Sequence, residues 1–340
     1  MLVRVMSRGI VGFAVVVLAG CGRLGFDASG SSGQPDSDGS VAADAVSADD
    51  ASTQVDASQI PDAAPLGGWA AVSPAPTTTS GLWGVYARSS TDLWVSGTAG
   101  ALLHSDGAAW TQTPSPAVDT LFMLWGSAAA DVWAVGRSCT VVHWNGAAWS
   151  QVAAPCGNSQ LFAIAGASAA DLWVVGTGGL VMRGDGTTWT TTTQPNIDYW
   201  SVFVQSATDV YLTGTKGTLV HWNGSAFAID ATAPNVTLAS VWGIAGEYWV
   251  VGDLGTILHK VGAGPWTHVA SPTSSFLYAV AGTSTTDVWA VGAGGTIVHY
   301  DGVGWTSATS PTAVTLRGIA RIPGAGVAAV GDGGVVIGRP

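Results

Sequence analysis

Glutamate and lysine are almost missing from this 340-residue chain, which contains one glutamate, Glu247, and two lysines, Lys216 and Lys260. Long amphipathic helices rely on Glu, Lys, Arg and Ala, so the composition argues against a mainly helical fold. All charged residues together make up only 10% of the chain. The 11 basic and 22 acidic residues give a formal net charge of −11. We therefore expect no nucleic-acid partner, because phosphate binding needs a basic surface.

Glycine and tryptophan, by contrast, are abundant, with 47 and 17 residues. Glycine supplies the tight turns, and tryptophan, threonine and valine favour the extended conformation. The composition therefore predicts an all-β protein with many short strands.

The N-terminal residues have the pattern of a bacterial export signal. Arg4 and Arg8 precede an apolar run over 10–18, which is too short to span a bilayer stably. The run ends in Leu-Ala-Gly-Cys at 18–21, which resembles the lipobox of bacterial lipoproteins. The resemblance implies cleavage just before Cys21 and acylation of its thiol, so that lipid would hold the protein on a membrane. An ordinary signal peptide and a single membrane anchor are the alternatives.

Residues 22–65 have the composition of a tether. They are mostly Ala, Ser, Asp and Gly, with almost no large apolar side chain, so we expect them to stay disordered. Eight of the acidic residues lie here, and residues 66–340 hold 14 acidic and 8 basic residues. Gly22 stands where an Asp would signal retention in the inner membrane. The expected location is therefore extracytoplasmic and lipid-anchored, on the bacterial outer membrane or cell surface.

Residues 66–340 consist of one repeated unit. Its core is Asp-x-Trp followed three residues later by glycine, as in Asp131-Val132-Trp133 and Gly136. That glycine falls at 97, 136, 176, 214, 252, 292 and 331, in steps of 38 to 40 residues. A fixed period of this length is typical of repeat architectures.

Each repeat contains four short apolar segments separated by glycine turns, which predicts a four-stranded antiparallel sheet. Such a sheet is apolar on both faces, so seven of them must stack radially, and the result is a seven-bladed β-propeller. The last repeat lacks its fourth strand, and a matching segment begins at Trp69. We therefore expect the strand around Trp69 to complete the last blade and close the ring.

Two further positions recur from repeat to repeat. A Trp begins the fourth strand, with Phe227 as the substitute in one copy, and we interpret it as packing between blades. The third strand has His104, His143, His221, His259 and His299 in one slot, with Arg183 in the third copy. Equivalent positions on different blades lie far apart on a ring, so these histidines cannot share one metal ion. We predict structural hydrogen bonds for them, and a turn-capping role for the Asp of Asp-x-Trp.

The turn Asp-Gly-x-x-Trp, as in Asp106-Gly107-Ala108-Ala109-Trp110, resembles the Asp-box of sialidase-type propellers, although an Asp-box usually has one more residue between Asp and Gly. Overall, residues 66–340 resemble the tandem-repeat propeller lipoproteins of myxobacteria and related deltaproteobacteria. They are similar in kind to Asp-box (BNR-like) and photosystem II assembly-factor propellers. The resemblance implies a propeller fold and does not imply catalysis.

Cys139 and Cys156 remain once Cys21 is lipidated, and an exported protein allows a disulfide between them. In an up-and-down blade the turn between strands two and three lies on the same face as the link to the next blade. Cys139 is in such a turn and Cys156 is in such a link. Two buried thiols are the alternative.

The sequence shows no pattern of catalytic residues. It has no Ser-His-Asp order, nucleophile elbow, P-loop or clustered metal ligands. We therefore expect a protein that is not an enzyme, is monomeric, and needs no cofactor or metal. The predicted role is a binding or scaffold module for a protein or glycan partner. The alternative is an atypical glycan-active hydrolase of sialidase-like fold, whose carboxylates would have to meet at one mouth.

The predicted binding face carries the links between blades and the turns between second and third strands, with the channel mouth as the default pocket. Its candidate residues are Asp119, Arg137, Asp198, Lys216, Asp253 and Asp332. An aromatic slot near the start of the first strand could reach this rim and stack on sugar, or could pack in the core. It holds Trp83, Phe122, Phe162, Trp200 and Tyr278.

Overall fold

Each copy of the repeat forms one four-stranded antiparallel sheet. The computed structural model describes residues 68–73, 75–194, 197–232 and 235–340. The predicted export signal, Cys21 and the tether up to residue 65 lie outside these ranges. Within the described residues no helix is both long and apolar enough to cross a membrane.

The described residues form 28 strands, and in the first six blades the four strands follow chain order. Blade 1 contains β2 (Leu82–Ser89), β3 (Asp92–Gly97), β4 (Leu102–Ser105) and β5 (Trp110–Gln112). Blade 2 contains β6 (Leu121–Ala128), β7 (Asp131–Gly136), β8 (Val141–Trp144) and β9 (Trp149–Gln151). Blade 3 contains β10 (Leu161–Ser168), β11 (Asp171–Gly176), β12 (Leu180–Gly184) and β13 (Trp189–Thr193).

Blade 4 contains β14 (Tyr199–Ser206), β15 (Asp209–Gly214), β16 (Thr218–Trp222) and β17 (Phe227–Thr232). Blade 5 contains β18 (Leu238–Ile244), β19 (Glu247–Gly252), β20 (Ile257–Val261) and β21 (Thr267–His268). Blade 6 contains β22 (Leu277–Ser284), β23 (Asp287–Gly292), β24 (Ile297–Tyr300) and β25 (Trp305–Ser307).

Blade 7 joins the two ends of the described chain. Its strands are β26 (Leu316–Ile322), β27 (Gly326–Gly331), β28 (Val336–Arg339) and the N-terminal β1 (Ala70–Ala71). In register, Ala70 pairs with Gly338 and Ala71 pairs with Ile337. Trp69 is 8% exposed, and its ring lies 5.5 Å from that of Trp289 in blade 6. The predicted seven blades and their closure by the N-terminal strand are confirmed.

The first strand of each blade is the inner one, and it contacts the first strands of both neighbouring blades, so seven inner strands surround a central axis. The core lies between the sheets. One cluster, for example, joins Trp94 and Leu102 of blade 1 to Leu121, Val132 and Trp149 of blade 2. Burial of these large apolar surfaces between neighbouring blades is the main source of stability.

The repeated glycine after Asp-x-Trp allows a close approach of two backbones. A Cβ at Gly136 would lie 2.1 Å from the carbonyl oxygen of Thr120, at the start of the inner strand. The turn that follows then bonds to the same segment, because the Arg137 amide donates to the Thr120 carbonyl at 2.9 Å. In blade 1 the Gly100 amide likewise donates to the Asp119 carbonyl at 2.8 Å. These bonds hold the turns between second and third strands against the links between blades, on one face that we call the link face.

Candidate binding site at the channel mouth

The second residue of every inner strand is the extra residue of a β-bulge. In blade 1, Leu82 pairs with Gly97 and Gly84 pairs with Ser96, so Trp83 has no partner in the ladder. A bulge turns a side chain out of the regular alternation of a strand. The bulged residues of the seven blades, in order, are Trp83, Phe122, Phe162, Trp200, Ala239, Tyr278 and Arg317.

Aromatic side chains from these bulges meet around the axis at the link face. The ring centroids of Trp83 and Phe122 are 5.0 Å apart, those of Phe122 and Phe162 are 5.4 Å apart, and those of Phe162 and Trp200 are 5.4 Å apart. All four rings are half-buried. They therefore pack against one another and still present part of their surface to the channel mouth.

Blade 5 has the small Ala239 in the bulge, and a residue from the next link takes the place of the missing ring. Phe276 precedes the inner strand of blade 6, and its ring lies 6.1 Å from Trp200 and 4.4 Å from Tyr278. Six rings are thus in contact from blade 1 to blade 6. Sequence reasoning missed Phe276, because it stands outside the repeat position that the other aromatic residues share.

Blade 7 closes this circle with an arginine. The Cζ atom of Arg317 lies 4.1 Å from the ring centroid of Trp83 and 5.6 Å from that of Tyr278. Its Nε and Nη2 atoms donate to the two carboxylate oxygens of Asp332, at 2.6 and 2.9 Å. A guanidinium on an aromatic face with a bidentate carboxylate is a favourable arrangement for arginine. Aligning the repeats places Arg317 in the aromatic slot, so the sequence held the signal for it.

We call the closed ring of seven side chains the collar. Its members are Trp83, Phe122, Phe162, Trp200, Phe276, Tyr278 and Arg317. The five aromatic residues for which the sequence left core packing and rim exposure open do both, since their rings contact each other and are half-buried at the mouth.

The six residues predicted for the binding face lie in segments that meet the link face, but only Asp332 bonds to the collar. Asp119 and Asp198 are in links that lead into inner strands, and Asp198 accepts a hydrogen bond from the Gly178 amide at 2.8 Å. Asp253 accepts one from the Leu254 amide at 2.8 Å. Arg137 and Lys216 are exposed in turns between second and third strands.

A second repeated set lies within the sheets, and we call it the Asp–His ring. It pairs the acid that begins the second strand with the base in the third strand, in blades 1 to 6. The acid–histidine distances run from 2.7 to 3.1 Å, in the pairs Asp92–His104, Asp131–His143, Asp209–His221, Glu247–His259 and Asp287–His299. In blade 3, Arg183 donates to both oxygens of Asp171 at 2.6 and 3.0 Å. The predicted structural hydrogen bonds of the histidines are confirmed.

The pairing also lowers the pKa of the acid in two blades. A hydrogen bond from His299, acting against burial, lowers the pKa of Asp287 to about 2. At Asp92 burial favours the neutral acid, but hydrogen bonds from Arg88 and His104 outweigh it, so the pKa is lowered.

The turn-capping role predicted for these acids is wrong. The serine three residues earlier caps the turn instead, as where the Ser89 hydroxyl accepts from the Thr91 amide at 3.2 Å.

The Asp-Gly turns belong to the opposite face and are also structural. The Asp106 carboxylate accepts hydrogen bonds from the amides of Ala108 and Ala109 at 2.9 and 2.8 Å. These backbone bonds lower the pKa of Asp106. Gly107 has a φ of +87°, which explains why glycine follows the acid.

Cys139 and Cys156 come together on the link face. Cys139 and Cys156 are joined through sulfur with their Cα atoms 5.5 Å apart, across a sequence separation of 17. Cys139 stands where other blades have glycine, and its amide still donates to a link carbonyl, that of Ser159, at 2.7 Å. The oxidation state of the pair in the cell stays a prediction.

The remaining acids do not form a metal site. Among residues 68–73, 75–194, 197–232 and 235–340, no group of three His, Cys, Asp or Glu side chains is placed to hold an ion. Asp230, which has no place in the repeat, binds Lys260 at 2.7 Å and the Trp266 indole at 2.6 Å. Of the carboxylates that a hydrolase would have to use, Asp332 is paired with Arg317, and Asp119, Asp198 and Asp253 belong to three other blades or links.

Comparison with solved structures places this architecture among known seven-bladed propellers. YCF48 from Cyanidioschyzon merolae matches with a TM-score of 0.66 and 15% identity, over 80% of this chain and 98% of that chain. A structure of YCF48 bound to a D1 peptide matches with a TM-score of 0.67 and 15% identity, over 80% and 95% of the two chains. The chain is similar in fold to YCF48.

The WD40 β-propeller domain of Doa1 gives a comparable match, with a TM-score of 0.67 and 11% identity over 80% of this chain and 97% of that one. At identities of 11 to 15% these likenesses concern the fold alone. No family model matches the sequence, and no curated protein does. The resemblance to photosystem II assembly-factor propellers therefore holds for the fold, while the lipoprotein class and the bacterial lineage stay predictions.

Proposed function

We propose that this protein is a membrane-tethered, non-catalytic module that binds a protein or glycan partner outside the cytoplasm. The observation that supports this role is the collar. Six half-buried aromatic rings and one arginine surround the channel mouth, and Trp, Tyr, Phe and Arg are the residues that dominate binding sites. A propeller core needs its aromatic residues between blades, where the tryptophans of Asp-x-Trp already fill that role.

The link face suits a binding role for a second reason. Its links and turns are attached to rigid sheets, and the collar side chains are set by a bulge in each inner strand. Such preorganisation lowers the entropy cost of binding. A likeness in fold supports the same role, because YCF48 has been solved with a bound D1 peptide, although the partner of this chain is a separate question.

Partner capture tests the binding role. The full chain, purified in detergent and immobilised, is probed with a peptide array and a glycan array. We expect at least one ligand whose affinity falls at least tenfold in both Phe122→Leu and Phe162→Leu. Phe227→Leu is the matched control, because this ring, in the outermost strand of blade 4, packs on Trp222 of the same blade and on Trp173 of blade 3. Equal binding by all three variants would rule out the collar as the contact site.

Metabolic labelling with a radioactive fatty acid tests the tether. We expect label on the wild-type chain and none on Cys21→Ser, which should also leave the membrane fraction. A labelled Cys21→Ser variant would contradict the lipobox interpretation.

The non-catalytic character is tested separately, by incubating the chain with each captured glycan and measuring released sugar. Hydrolysis that Asp198→Asn or Asp253→Asn abolishes would favour the glycan-active alternative.

A further inference from the structure

Resting on the binding role proposed above, we infer that the collar takes an arginine side chain from a basic segment of a partner protein. The inference narrows the partner to a protein and its anchoring group to a guanidinium. It starts from the one side chain that already occupies the collar as a cation.

Arg317 shows how the mouth receives a guanidinium. The group lies on the face of Trp83 at 4.1 Å and close to Tyr278 at 5.6 Å, and its Nε and Nη2 atoms both donate to Asp332. The Asp332 side chain is 41% exposed, whereas that of Arg317 is 20% exposed. The carboxylate is therefore the member of the pair that an incoming group meets first.

Four other collar rings lack such a cation among the described residues. Phe122, Phe162, Trp200 and Phe276 have no Lys or Arg on their faces within the part of the chain that the structure describes. The cations found elsewhere in the molecule prefer such positions: the Cζ of Arg339 lies 4.2 Å from the Trp289 ring and that of Arg183 lies 4.7 Å from the Trp173 ring. A desolvated guanidinium gains most from this contact.

Two carboxylates lie close in sequence to these rings. Asp119 comes three residues before Phe122, and Asp198 comes two residues before Trp200. The half-buried Asp119 carboxylate has no hydrogen-bond partner among the described residues. A partner arginine on the rings would therefore meet acidic groups at the rim as well as π surface.

Net charge favours the same class of partner. The whole chain has a formal charge of −11, and residues 66–340 keep an excess of six acidic residues. A basic segment is steered toward such a surface, whereas nucleic acid and anionic lipid are repelled. A neutral glycan could stack on the rings and hydrogen-bond to Asp332, but it would gain nothing from the net charge. Arginine suits the site better than lysine, because its flat group both stacks and forms bidentate hydrogen bonds.

The test compares peptides that differ at one side chain. The peptide Ala-Ala-Arg-Ala-Ala-Arg, capped at both ends, is titrated calorimetrically into the full chain in detergent, beside versions with citrulline and with lysine. Citrulline keeps the shape of arginine and removes its charge. We expect the arginine peptide to bind at least tenfold more tightly than the citrulline peptide, with lysine between them. Equal affinities for arginine and citrulline would overturn the inference.

Two variants locate the site. Phe162→Leu should lower the affinity for the arginine peptide severalfold, whereas the control Phe227→Leu should not. Arg317→Gln should raise this affinity severalfold, because the variant removes the internal guanidinium and leaves Trp83 and Asp332 free. A merely structural Arg317 would give no such gain, so unchanged or weaker binding by Arg317→Gln also contradicts the inference.

The two proposals fail in different ways. If the arrays yield a collar-dependent ligand that the arginine peptide does not displace, the guanidinium inference is wrong and the binding role stands. If no peptide or glycan depends on Phe122 and Phe162, both proposals fall together.

Discussion

The Asp–His ring and the collar are both built from one position repeated around the propeller, yet they differ in what the repetition preserves. In the Asp–His ring each acid bonds to the base of its own blade, and blades 1 to 6 all keep an acid and a base there. The collar contacts run from blade to blade, and the bulge positions of the inner strands include Ala239 and Arg317 among aromatic residues. Strict repetition thus marks the residues that hold a blade together, and departures from it mark the surface available for binding.

The largest difference in stability is expected between variants of a core ring and variants of a collar ring. Trp249, in the second strand of blade 5, is fully buried and stacks on His259 at 3.7 Å. Trp249→Ala should lower the free energy of unfolding by about 3–5 kcal/mol, because it leaves a large cavity. Phe162→Ala in the half-exposed collar should cost about 1–2 kcal/mol, since water can enter part of the space. Urea unfolding of both variants checks the difference, and equal losses would show that the collar is core.

Loss of a disulfide on the link face should have the next largest effect on stability. If Cys139 and Cys156 are oxidised in the exported protein, Cys139→Ser should destabilise it by about 3 kcal/mol, the value expected for a loop of this length. Thiol titration of the unfolded protein tests the premise, with two reactive thiols counting against a disulfide. The loss should match that of the wild type under a reducing agent, because both remove the same bond.

Sequence periodicity predicted the fold closely, for a physical reason. A blade cannot bury its faces alone, so every repeat must supply the same Trp, Gly and Asp at the same register. The blade count, the closing strand at Trp69 and the histidine bonds follow from that requirement. In blade 1, for example, the four observed strands, over 82–89, 92–97, 102–105 and 110–112, correspond to the four apolar segments of the repeat.

The candidate site was predicted only in outline. The link face and five collar positions could be read from the repeat, but Phe276 could not, because it fills space left by Ala239 from outside the pattern. The acid of Asp-x-Trp was misassigned as a turn cap, since local spacing fits both roles. Only the cross-strand register, which places His104 opposite Trp94, sets Asp92 against the histidine.

Acid should weaken the pairs of the Asp–His ring. The folded pKa of Asp287 is depressed to about 2, below its ordinary value of 3.8. Its stabilising effect is therefore present above pH 4 and is lost as the pH falls toward 2, by up to about 2 kcal/mol. Asp287→Asn should unfold with a shallower dependence on pH over this range. Thermal unfolding at pH 5, 4, 3 and 2 measures the slopes, and parallel curves for variant and wild type would contradict the depressed pKa.

Two arginines give the smallest and most closely matched test. Arg183 and Arg317 each make two hydrogen bonds to one aspartate and each lie on a tryptophan, but Asp171 is 15% exposed and Asp332 is 41% exposed. Arg183→Gln should therefore cost about 1–2 kcal/mol, because a shielded carboxylate loses its partner. Arg317→Gln should cost less than about 1 kcal/mol, and raising the salt concentration should shrink that cost further, because water and ions screen the exposed pair. Urea unfolding at low and high salt distinguishes the two. If Arg317→Gln instead lowered the free energy of unfolding more than Arg183→Gln did, and salt did not change that loss, the collar arginine would be a structural element. The collar would then serve the same structural purpose as the Asp–His ring.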